Sequence, residues 1–146
     1  NPGIIEGGKI VNAIPDLARV EIDTRFWKDE DGAWLDQKIQ EAAKKVWVEG
    51  VTCELKRNSF LPAMPLSEAT KGLVGIVNQA AEKAGFTAKW VDAGGGSDGN
   101  HIAESGVPVV DGCGPAGSGL HTEREYLQLD TVEERIRMQA NVYSLI

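Results

Sequence analysis

Along residues 18–26 apolar and polar side chains alternate without a break, with Ala18, Val20, Ile22, Thr24 and Phe26 on one face and Arg19, Glu21, Asp23 and Arg25 on the other. A period of two predicts a half-buried antiparallel strand. Upstream, residues 8–12 (Gly-Lys-Ile-Val-Asn) form a second candidate strand, and Pro15 and Asp16 supply the turn chemistry of a hairpin between the two. After a turn at 29–32 the period lengthens: Leu35, Ile39, Ala42 and Val46 recur at helical spacing, with Trp34 and Trp47 flanking them as packing groups. Gly50 closes that segment, and residues 51–56 predict a third strand. Two antiparallel strands, a helix and a strand make an α+β layer.

Residues 58–65 carry Pro62 and Pro65 and no regular period, so they mark a crossover between two structural units, 1–60 and 61–146. Beyond them Ser67 is placed to cap a helix with apolar positions at Ala69, Leu73, Ile76, Val77, Ala80 and Ala84, and Gly85 to end it. Strands are expected at 86–91 and 107–110, with a short helix over 98–105 between them. This alternation predicts a layered α/β unit with parallel pairing, whose ligand sites gather at the carboxyl ends of its strands. The last helix opens at Thr131-Val132-Glu133-Glu134, a capping-box pattern, and turns Val132, Ile136, Met138 or Gln139, and Val142 inward.

Composition narrows the class of partner. The 146 residues are 42% hydrophobic and 25% charged, as in a globular domain, and no apolar run reaches the length of a spanning helix, so no membrane role is expected. A net charge of −7 without a basic tract argues against nucleic acid. Cys53 and Cys113 are too few for a disulfide framework and read as free thiols in a reducing, cytoplasmic compartment. The chain starts at Asn1 without an initiator Met, and its helical pattern runs to Ile146 without a stop signal. A fragment of a longer protein is therefore expected.

Candidate chemistry concentrates in Gly94-Gly95-Gly96-Ser97-Asp98-Gly99-Asn100 and, one strand and one loop later, Gly119-Leu120-His121-Thr122. A side-chain-free run leading into a helix start can offer backbone N–H groups to an anion or a substrate carboxylate. His121 sits in a glycine-rich loop with little packing purpose, which suits a metal or catalytic group. His101, inside the short helix, reads as a packed or hydrogen-bonded side chain. Arg25 reads as part of a surface charge ladder. A catalytic zinc needs about three protein ligands, and no His-Glu-x-x-His or Cys-x-x-Cys spacing supplies the rest.

Taken in order, residues 8–16 (Gly-Lys-Ile-Val-Asn-Ala-Ile-Pro-Asp), Asp23-Thr24-Arg25, Gly95-Gly96-Ser97-Asp98-Gly99-Asn100, Gly119-Leu120-His121-Thr122 and Glu125-Tyr126 resemble the second half of an M20 family metallopeptidase, in its glutamate carboxypeptidase branch. The resemblance covers nearly the whole chain. It implies a catalytic α/β domain holding two zinc ions, interrupted by a ferredoxin-like lid that often mediates dimerisation. Residues 1–60 then correspond to the later part of the lid, and residues 61–146 to the returning, C-terminal part of the catalytic domain. Asn12 and Arg25 are implied to bind the substrate carboxylate, Gly96 and Ser97 to line the same pocket, and His121 to ligate zinc. The implied substrate is a small peptide or N-acyl amino acid with a C-terminal glutamate or similar residue.

The family's earlier His-x-Asp, its bridging Asp, its Glu-Glu pair and its lid histidine have no counterpart in this sequence. The chain alone is therefore expected to bind no zinc usefully and to be inactive. Two functions of different class follow: part of a zinc-dependent carboxypeptidase or amidohydrolase that needs its missing N-terminal half, or a non-catalytic carboxylate-binding or dimerisation module. A sheet without its flanking strands also leaves an edge open, so a homodimer is expected.

Overall fold

The computed structural model describes residues 1–146 and divides into two compact units, Asn1–Phe60 and Leu61–Ile146. It is a mixed α/β structure of four helices and two small antiparallel sheets.

In the first unit, β1 (Pro2–Gly7) pairs antiparallel with β2 (Ala18–Ile22), with Ile5 opposite Val20 and Glu6 opposite Arg19. The first strand thus precedes its expected position at 8–12. Gly8, at φ 77°, turns the chain out of the ladder, and residues 8–17 become the hairpin loop, spanned by a Lys9–Asp16 contact at 3.4 Å. At the open end the Asn1 amino group donates to the Asp23 carbonyl at 2.8 Å, which fixes the register from the other side.

Helix α1 (Asp29–Lys44) absorbs the expected turn at 29–32. Asp29, Glu30 and Asp31 occupy its first turn, where the positive end of the helix dipole favours carboxylates. Gly32 is buried there because the Phe26 ring lies where its Cβ would be, 2.7 Å away. Phe26 in turn stacks on Phe60 with centroids 6.1 Å apart. Leu35 and Ile39 are half-buried, whereas Trp34, Val46 and Trp47 are exposed, with the Lys45 ammonium 3.8 Å from the Trp47 ring centroid. No strand forms over 51–56. An extended segment gains little without a ladder partner, and neither β1 nor β2 extends to meet it.

The second unit is organised by α2 (Glu68–Ala84) and α4 (Asp130–Tyr143). Ser67 caps α2, its hydroxyl accepting the Thr70 N–H at 3.0 Å, and Gly85 ends it in the left-handed conformation. The fully buried Ala80 and Ala81 present so little side chain that Met138, 1% exposed, packs against them beside Val77. Phe86, Val110, Cys113 and Val142 surround this core. Met138 is the inward residue of α4, while Ile136 is 62% exposed.

The capping-box expectation fails at Thr131. Helix α4 begins one residue earlier, and the Thr131 hydroxyl donates to Gln128 O at 2.7 Å while accepting the Ala116 N–H at 2.9 Å. That ties the helix start to the short hairpin of β3 (Gly117–Ser118) and β4 (Tyr126–Leu127). Residues 86–91 and 107–110 form no strands and no parallel ladder exists. Within this chain nothing pairs with them.

Two separately folded units of about 6.5 and 9.2 kDa would expose about 8,800 Å² together. The chain exposes 11915 Å². Large apolar side chains are among what is exposed: Ile5, Val11, Ile14, Val91 and Leu129 are all open to solvent. No helix is long and apolar enough to cross a membrane.

Candidate functional site

The glycine run leads into α3 (Asp98–Glu104), whose start is a reciprocal cap. Ser97 Oγ accepts the Gly99 N–H at 3.1 Å, and Asn100 Oδ1 accepts the Ser97 N–H at 2.9 Å. The Asn100 N–H reaches Ser97 O at 3.1 Å. The N–H groups of residues 97, 99 and 100 are thus consumed inside the loop. At these three positions the Ser-x-x-Asn spacing supplies acceptors from within the loop itself.

The stretch is pinned to the start of its own unit. A Cβ on Gly96 would fall 2.6 Å from Leu61 Cδ1, and Asn100 Nδ2 donates to Pro62 O at 2.8 Å. Gly96 therefore lets the Leu61 side chain lie close against the run, and a larger residue there would make Leu61 move. Downstream, hydrogen bonding from the Ser97 side chain and then from the Gly112 N–H, at 2.7 Å, holds the Asp111 carboxyl below its ordinary pKa.

His121 stands in the loop between β3 and β4, exposed and with φ 65°, the one non-glycine residue at positive φ. Three groups shape that loop. Gly119, at φ 77°, leaves no room for a Cβ, which would lie 2.5 Å from Arg124 O. Thr122 binds Gly119 O through both its N–H, at 3.0 Å, and its hydroxyl, at 2.7 Å. The same hydroxyl accepts the Arg124 N–H at 3.2 Å. Beside the loop, Leu120, Glu125, Tyr126 and Pro115 border an open hollow of about 460 Å³.

No hydrogen bond joins His121 to Ser97, and no three His, Cys, Asp or Glu side chains gather anywhere as a metal-binding group. One exposed imidazole does not fit a two-zinc centre, which needs about three protein donors per metal. His101 is exposed, 3.9 Å from the Glu104 carboxylate, rather than packed. The other two sequence candidates lie in the first unit. Asn12 is exposed in the β1–β2 loop, and Arg25 Nε donates to Asp23 Oδ2 at 2.8 Å just beyond β2. Sequence reasoning missed Asn100 and Thr122 as the groups that hold these loops. The spacing of Asn100 three residues after Ser97 was the available signal.

A mixed α/β domain with a pinned glycine-run loop and a hairpin-borne histidine finds its relatives among peptidases. The model of peptidase family M20/M25/M40 matches residues 2–144, and the chain belongs to that family. It is 28% identical over 141 residues to carboxypeptidase G2 of Pseudomonas sp. (strain RS-16), covering 95% of this chain and 34% of that protein. Peptidase T of Shouchella clausii (strain KSM-K16) is 27% identical over 133 residues, 91% of this chain and 31% of that protein. The uncharacterized protein YqjE of Bacillus subtilis (strain 168) is 26% identical over 147 residues, 100% of this chain and 38% of that protein. The chain spans about a third of the length of these curated relatives.

Proposed function

We propose that this chain supplies the C-terminal part of a zinc-dependent carboxypeptidase or amidohydrolase that releases a C-terminal glutamate or similar residue from a small peptide or N-acyl amino acid. Residues 1–60 serve as part of a lid and dimerisation domain, and residues 61–146 as part of the layered catalytic domain. Asn12 and Arg25 take the substrate carboxylate, Arg25 through its fork of N–H donors. Gly96 and Ser97 form a wall of the substrate pocket, and His121 gives one zinc bond.

The observation that carries this reading is His121 itself: an exposed imidazole on a tightly built loop, in a family of peptidases, with no group of three or more His, Cys, Asp or Glu side chains gathered to hold a metal. A ligand held this carefully, without the full donor set a metal needs, suits a centre completed by other residues. The many exposed large apolar side chains support the same reading, since they suit a chain that packs against further protein, including a second copy. By itself the chain is inactive.

The test pairs the isolated chain with the full-length enzyme carrying it. The complete enzyme should bind two zincs and release glutamate from an N-acyl glutamate, and His121→Ala should weaken zinc binding by at least about tenfold. Unchanged zinc affinity in that variant removes His121 from the centre. Zinc-dependent hydrolysis by the 146-residue chain alone overturns the claim that it is inactive.

A further inference from the structure

We propose that Asn100 is the positioning residue for the Gly96–Ser97 stretch, a role that rests on the reading of that stretch as a wall of the substrate pocket. Its amide is used at both ends: Oδ1 accepts the Ser97 N–H at 2.9 Å, and Nδ2 donates to Pro62 O at 2.8 Å, 38 residues earlier in the chain. Pro62 is buried and Asn100 half-buried, so the second bond joins two groups with reduced access to water. Leu61, next to Pro62, meets the same stretch through its contact surface against Gly96. Asn100 and Leu61 therefore set where Ser97 sits relative to the start of the unit.

A carboxamide meets both demands together, one with each of its two terminal atoms. A carboxylate can accept from Ser97 but cannot donate to a carbonyl, and an apolar side chain can do neither. The Ser97 N–H is consumed by Asn100, and its hydroxyl is engaged by the Gly99 N–H and the Asp111 carboxyl, so what this stretch presents to a substrate is a surface whose position Asn100 helps to hold. Loss of that hold displaces Ser97 without touching reacting atoms. The effect belongs in substrate binding and not in the chemical step.

Two measurements test this. In the 146-residue chain, amide hydrogen exchange at Ser97 should quicken by about tenfold or more in Asn100→Ala and by less in Asn100→Asp, which keeps an acceptor for the Ser97 N–H but loses the bond to Pro62, while Val77 and Ala81 in the core keep their protection. In the full-length enzyme with an N-acyl glutamate, both variants should raise KM with kcat changed less than about twofold. Unchanged exchange at Ser97 overturns the proposal, and so does a loss of core protection in both variants, which would make Asn100 a folding residue. Ser97→Ala separates this inference from the reading beneath it. If Ser97→Ala leaves KM unaltered, the pocket-wall reading fails whatever Asn100 does; if it raises KM while the Asn100 variants do not, positioning by Asn100 fails alone.

Discussion

The Asn141 side-chain amide of α4 donates to the backbone carbonyl of Ala80 on α2 at 3.1 Å, one turn along α4 from the buried Met138. Polar and apolar contacts between these two helices are thus made by neighbouring positions on one face. Removing the bond in Asn141→Ala should cost the second unit about 1 kcal/mol. Met138→Ala, which empties the largest buried side chain, should cost about 2–5 kcal/mol. Urea denaturation of the single and double variants checks both, and the double variant is expected to depart from additivity because the sites adjoin.

Ser67 caps α2 with a hydroxyl-to-N–H bond of 3.0 Å. Ser67→Ala should destabilise the second unit by about 1 kcal/mol, whereas Ser67→Asp should retain most of the stability. Thermal unfolding followed by circular dichroism distinguishes the two variants.

Gly119 combines a positive φ with a carbonyl where its Cβ would stand. Gly119→Ala should rearrange the His121 loop and cost more than about 1 kcal/mol locally. The change is visible as altered NMR shifts of His121, Thr122 and Arg124, with the α2–α4 core unaffected. Retention of the parent shifts at all three residues would show that the loop is not built around this glycine.

Asp111 is held below its ordinary pKa by the Ser97 side chain first and the Gly112 N–H second. Its folded-state value lies below its unfolded one, so its contribution to stability is present above the unfolded value. That contribution fades as pH falls through the folded value, in the range below about pH 4. Asp111→Asn should therefore have a shallower loss of stability in acid than the parent. Parallel denaturation curves between pH 6 and pH 3, run on parent and variant, measure the difference.

The two thiols should react at different rates. Cys53 is exposed, while burial first and the Asp111 charge second push the Cys113 thiol up, with Arg135 opposing them. A raised pKa leaves less thiolate to attack. Iodoacetamide at neutral pH should label Cys53 well before Cys113, as read by mass spectrometry of the peptides. Asp111→Asn should narrow the gap by removing a negative charge beside Cys113.

What local chemistry could specify, the sequence by itself determined. The alternation over 18–26 marked β2, Ser67 and Gly85 marked both ends of α2, Ser97 marked the start of α3, and the ordered motifs carried the M20 resemblance. The helix ends among these rest on bonds spanning a few residues. The tertiary structure decided what depends on distant partners. Residues 51–56, 86–91 and 107–110 have strand-like composition but no neighbour to pair with, so they stay outside any ladder. Thr131 gives up its capping role because Ala116 arrives beside it, and Asn100 is drawn to Pro62 only because the unit folds back on its own start. The chemistry of His121 belongs to the same class: its type and loop are written locally, but a metal centre needs donors converging in space, and that convergence is a property of tertiary structure.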